Sequence, residues 1–103
     1  MKIHNKLVRD KVPEIIASTG KSYDLHYAKT EEILPLLETK LNEEVSEYLE
    51  DKNLEELADV MEVLFGLANA LGYSEEDLIN KRNVKKEERG GFEKGIVLEK
   101  IYE

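Results

Sequence analysis

The sequence predicts a mainly α-helical fold: an antiparallel helical hairpin plus a third helix, assembled as an oligomeric helix bundle, with a small two-stranded β element beside it. Three observations predict it. Apolar residues recur at helical spacing from Leu34 to Leu49 and again from Leu54 to Leu71. Only Asp51-Lys52-Asn53 separates the two runs, a link short enough to turn one helix back on the other. A third run opens at Ser74 with Asp77 three residues on, a capping-box pattern with Asp in place of Glu.

In chain order, Asn5-Lys6-Leu7-Val8-Arg9-Asp10-Lys11-Val12-Pro13 ends in a proline that suits the first turn of a short helix through Ala17, which Ser18-Thr19-Gly20 then breaks. Tyr23, Leu25 and Tyr27 alternate with polar residues, the period of a strand. The first long helix is expected from about Glu31 to Glu50, with Leu34, Leu37, Leu41, Val45, Tyr48 and Leu49 on one stripe. Proline is tolerated only in a first turn, which predicts a regular helix beginning near Pro35. Asn53 is placed to cap the second helix, Leu54 to about Leu71, which Gly72 closes. The third helix carries Leu78 and Ile79 and turns basic from Lys81. After Gly90-Gly91, the run from Ile96 to Tyr102 reads as a strand, with Tyr23 to Tyr27 as its available partner. Gly90-Gly91 lacks the Gly-Lys-Ser/Thr ending of a phosphate-binding loop and reads as a helix stop.

A chain of 103 residues holds one domain, here 1–103. With 41% hydrophobic and 37% charged residues it is too apolar for disorder. It has no cysteine, hence no disulfide or thiolate metal site, and no apolar stretch of membrane-spanning length or signal-peptide character. The expectation is a cytoplasmic protein with no membrane partner. A formal charge of -8 argues against binding a nucleic-acid polymer, which draws on basic surface. Between Thr30 and Asn80 the acidic residues number fifteen and the basic ones two, Lys40 and Lys52; the other Lys and Arg lie in the flanks. An acidic centre with basic ends suits a metal site that also receives an anion, although solvated acidic helices give the same balance.

On a helical wheel at about 100° per residue, the second helix is apolar over roughly 240°. Glu56 falls inside that arc and Asp59 on its border. A buried, unpaired carboxylate costs several kcal/mol, so it calls for a cation, a hydrogen-bond partner or a proton. On the first helix Glu44 and Glu47 share a face, and Glu44 borders the apolar stripe. An antiparallel hairpin can set 44/47 against 56/59. Four such oxygen ligands suit a hard divalent cation, Mg²⁺ first and Mn²⁺ second. With His4 and His26 as the only histidines and no cysteine, zinc is disfavoured. Spacing alone leaves a metal site and solvated surface both open.

Glu43-Glu44-Val45-Ser46-Glu47 and Glu56-Leu57-Ala58-Asp59 resemble the EExxE and ExxD motifs of the MazG-like all-α nucleoside triphosphate pyrophosphohydrolases, a superfamily that includes phosphoribosyl-ATP pyrophosphohydrolase and dimeric dUTPases. The opening Asn5 to Ile16 and the later Arg89-Gly90-Gly91-Phe92 are similar to a small phosphoribosyl-ATP pyrophosphohydrolase-like subgroup. The resemblance implies the all-α pyrophosphohydrolase bundle, Mg²⁺ on Glu44, Glu47, Glu56 and Asp59, and Glu43 orienting water or ligands behind them. It implies a nucleotide substrate cleaved between its α- and β-phosphates to a monophosphate and pyrophosphate, and a homodimer or homotetramer. The wide apolar arc of the second helix agrees with oligomerisation independently. Glu47 and Glu43 are both candidates for the catalytic base. Lys6, Arg9, Lys81, Arg82, Lys85 and Arg89 form the pool for holding phosphates, with Arg9, Lys6, Lys81 and Arg89 preferred. Two other readings stand beside this one: phosphoribosyl-ATP hydrolysis in histidine synthesis, and a helical dimerisation module without catalysis.

Overall fold

The computed structural model describes residues 2–102 and has four helices: α1 (Val12–Ser18), α2 (Thr30–Asp51), α3 (Leu54–Ala70) and α4 (Glu75–Arg89). α2 packs against α3 and α3 against α4, whereas α1 packs on no other helix. The hairpin and third helix are as the periodicity predicts, and no helix among the described residues is long and apolar enough to cross a membrane.

The helix ends follow from side chains. Asn53 accepts a hydrogen bond from the Glu56 amide (2.9 Å), relieving a donor that the first turn of α3 leaves unpaired. At the other end Gly72 adopts φ +94°, and the amides of Gly72 and Tyr73 donate to Asn69 and Ala68 carbonyls (3.0 and 2.8 Å), a complete Schellman closure. Ser74 and Asp77 exchange hydrogen bonds of 3.0 and 2.9 Å at the start of α4. α2 stops at Lys52, which takes a left-handed φ of 50° without being glycine. Its ammonium donates to the Leu49 carbonyl at 2.8 Å and lies 5.9 Å from the centre of the Tyr48 ring, contacts that offset the steric cost of that conformation.

Two expectations are corrected. α2 spans the expected Glu31 to Glu50 with one further residue at each end, but its regular part does not begin near Pro35: it starts at Thr30, a turn earlier, so the proline lies inside the helix. It is exposed, its missing amide strands only the Glu31 carbonyl at the wet end of the helix, and Thr39 Oγ1 donates to the proline's own carbonyl (3.1 Å). The two-stranded β element is absent among the described residues. Tyr27, Ile96, Val97 and Tyr102 are almost fully exposed, so neither alternating segment has a buried face to pin a register, and each solvates its own backbone.

The core is thin. Leu37 from α2 and Val63 and Ala68 from α3 are its buried apolar residues, and Gly66 lets the helices close: a Cβ there would meet Leu37 Cδ2 at 3.1 Å. Leu54, Leu57, Met61 and Leu64 run down the outer side of α3, with Leu71 just past its end and Leu54 80% exposed, and Val45 and Leu49 of α2 are also exposed. The chain exposes 9632 Å², against about 5,900 Å² for a monomeric globular protein of this mass. Its radius of gyration is 18.0 Å, against about 13 Å for a compact chain of this length.

Candidate metal centre

The α2–α3 link sets the register of the site. Glu44 and Asp59 stand equally far from the point between Asp51 and Lys52, and so do Glu47 and Glu56, so an antiparallel turn there brings the pairs together. The carboxylates meet in two groups that share Glu44. In one, oxygens of Glu44, Glu56 and Asp59 lie within 4.8 Å of one another; in the other, oxygens of Glu43, Glu44 and Glu47 do.

Glu44 is the most telling member. It is 6% exposed, and among the described residues it is the one buried charged side chain. Its Oε1 pairs with the Lys40 ammonium at 3.2 Å, but its Oε2 is buried with no hydrogen-bond partner. Glu56 likewise buries an unpartnered Oε2. Buried carboxylate oxygens are normally satisfied, and two orphans in one acidic group are what a hard cation, or a proton shared between carboxylates, would satisfy. The donor set therefore fits Mg²⁺ or Mn²⁺: all oxygen, from two helices, with neither thiolate nor imidazole.

The electrostatics divide the group. Repulsion from Glu44 raises the pKa of Glu47, with loss of solvation, a hydrogen bond with Glu44 that favours the protonated form, and the charges of Glu56 and Glu43 adding to it. Desolvation raises Glu56, and Asp51, Asp59 and Glu44 push it the same way, while a hydrogen bond with Glu47 opposes them. Glu43 moves oppositely: the Lys6 ammonium, 2.7 Å from its Oε1, lowers its pKa, while Lys6 itself is raised by the same contact.

A pH dependence follows. Glu47 and Glu56 bind protons more tightly folded than unfolded, so the metal-free protein is expected to lose stability as pH rises from the ordinary glutamate value of 4.5 through their raised values. Glu43 acts in the opposite sense, adding stability above 4.5 that disappears as pH falls through its lowered value. Urea midpoints across this range at fixed ionic strength measure the balance. Glu47→Gln should flatten the decline, and an unaltered slope in that variant would sink the assignment.

All five acidic residues singled out in the sequence thus meet at one place. Of the basic residues, the N-terminal pair reaches it: Lys6 on Glu43, and Arg9, whose Nη2 lies 2.7 Å from Asp59 Oδ1. Lys81 and Arg89 do not. Both are exposed on α4 and make no ion pair among the described residues. Lys40 is the member that sequence reasoning missed. It also lies 3.6 Å from Glu43, and its signal was available, since it stands three and four residues before Glu43 and Glu44 on one helix.

No protein-family profile, no curated protein and no solved structure matches this chain.

Proposed function

We propose that the chain is a Mg²⁺-dependent pyrophosphohydrolase of the MazG-like type, which cleaves a nucleoside triphosphate between its α- and β-phosphates to give a monophosphate and pyrophosphate. The observation that carries this reading is the buried, unpartnered Glu44 Oε2, at a point where Glu56 and Asp59 converge from the facing helix. The choice of reaction rests on the resemblance of the two acidic motifs to those of the MazG-like pyrophosphohydrolases.

Glu44, Glu56 and Asp59 would hold the ion, with Glu47 beside them. The bound Mg²⁺ supplies charge neutralisation at phosphate oxygens and a more acidic water. Of the two candidates for the catalytic base, the electrostatics favour Glu47. Its carboxylate makes no ion pair among the described residues and is free to accept a proton from water, whereas the Glu43 carboxylate is engaged by the Lys6 and Lys40 ammonium groups at 2.7 and 3.6 Å. Glu43 then positions its neighbours, and Lys6 and Arg9, the more exposed of the cations at the acidic group, would hold phosphates.

The same reading includes a homodimer or homotetramer, because the stripe from Leu54 to Leu71 on α3 has too little apolar surface of its own chain to cover it. Light scattering is expected to give a multiple of the 11.9 kDa chain, and a stable folded monomer at micromolar concentration would defeat it. A cytoplasmic location belongs to the proposal too, in keeping with a chain without cysteine.

The deciding experiment is a pyrophosphate-release screen over standard, modified and phosphoribosyl nucleotides, with and without Mg²⁺. Metal-dependent release of pyrophosphate from one class is the expected result. Turnover of phosphoribosyl-ATP alone would move the substrate to histidine synthesis. Silence across the panel would favour the dimerisation module, for which the exposed α3 stripe is the supporting observation.

A further inference from the structure

The N-terminal segment has no helix to hold it, yet it lies across the hairpin at the acidic group. Residues 2–11 are irregular, and α1 beyond them packs on no other helix. Leu7 is half-buried, and a small crevice between the segment and α2 is lined by Asn5, Leu7, Leu36, Thr39 and Lys40. From that foothold Lys6 reaches Glu43 on α2 and Arg9 reaches Asp59 on α3, across sequence separations of 37 and 50 residues. The two cations therefore tie one strap to both helices of the site.

We propose that residues 5–9 form a displaceable counter-ion strap: Arg9 neutralises Asp59 in the metal-free protein and leaves it when a divalent cation enters. The inference rests on the metal-centre reading. Asp59 belongs to the group with the two orphaned oxygens, and the guanidinium lies 2.7 Å from its Oδ1. A divalent cation held by Asp59 at its usual distance of about 2.1 Å meets that guanidinium as a like charge at close range. The strap can yield. The Arg9 and Asp59 side chains are 55% and 40% exposed, so their pairing is that of a surface ion pair, and a weak foothold holds the rest. Lys40 cannot leave in the same way, because it sits on α2 itself, three and four residues from its partners. Release turns Arg9 from a partner of the metal ligand into a free planar cation beside the ion, the form in which it can hold a phosphate.

The test is direct binding of Mn²⁺ to the full chain, followed by the loss of the free-ion paramagnetic resonance signal, with thermal melts to verify folding. Wild type is compared with Arg9→Gln and with Lys11→Gln, which removes a cation of the same segment that has no ion pair among the described residues. Arg9→Gln is expected to bind Mn²⁺ about two- to fivefold more tightly, the range of an exposed ion pair, with Lys11→Gln unchanged. Trypsin cleavage after Arg9 should also quicken in wild type when Mn²⁺ is added. If wild type binds Mn²⁺ and Arg9→Gln binds no more tightly, the strap is wrong and the metal centre stands. Equal tightening in both variants would reduce the effect to general charge and overturn the strap. If neither wild type nor Arg9→Gln holds Mn²⁺, the metal centre itself fails, and the strap with it.

Discussion

Adding Mg²⁺ at constant ionic strength, with no nucleotide present, is expected to raise the melting temperature by about ten degrees or more. Glu44, Glu47, Glu56 and Asp59 crowd their charges in a partly dry site, and two of their oxygens lack any partner. A cation that binds only the folded site stabilises it by RT ln(1 + [L]/Kd), about 2.7 kcal/mol at a hundred times Kd. Each kcal/mol moves the midpoint of a domain this size by roughly 4–8 °C. Ionic strength must be matched because screening alone favours so acidic a chain. The double variant Glu44→Gln, Asp59→Asn should gain little from the same addition. A wild-type curve indifferent to Mg²⁺ would argue against a preformed site, and indifference to Mg²⁺ with nucleotide would remove the enzyme reading altogether.

The second large effect is expected from Glu56→Gln. Its desolvated carboxylate, with Oε2 buried and unpaired, is a cost that the metal-free fold bears, so the neutral amide should leave the melting temperature equal or higher. Pyrophosphate release should nevertheless fall by at least about 10–100-fold, the loss that even groups behind the ligands produce when removed. Activity and stability thus move in opposite directions in one variant, which simple unfolding cannot imitate. Turnover at the wild-type level would mean that Glu56 is the wrong carboxylate.

How much of this was legible in the sequence depends on the range of the interaction. Asn53, Ser74 with Asp77, and Gly72 act within one helical turn, and all three were readable from spacing. The burial of Glu44 and of one Glu56 oxygen was readable too, because a wheel places both against apolar neighbours. Pro35 was misread because propensity describes an average helix interior, whereas this proline sits on a wet face where a stranded carbonyl costs little. The alternation at Tyr23 to Tyr27 was misread because a strand is a property of a pair, and these residues have no buried face and no partner among the described residues. The ion pairs of Lys6 and Arg9 lie beyond any periodic signal, since they join residues 37 and 50 positions apart. The sequence marks both as cations for an anionic ligand; in the structure both rest on carboxylates.

The bend between α2 and α3 has a consequence for how this gene can change. Surface connections usually absorb insertions and deletions freely. Here one added residue before Leu54 would change the register in which α3 returns along α2 and carry Glu56 and Asp59 away from Glu44, leaving both helices and their caps chemically intact. The lineage of this chain is therefore expected to vary in the identity of residues 51–53 far more readily than in their number, and length at that bend becomes a heritable marker of the site.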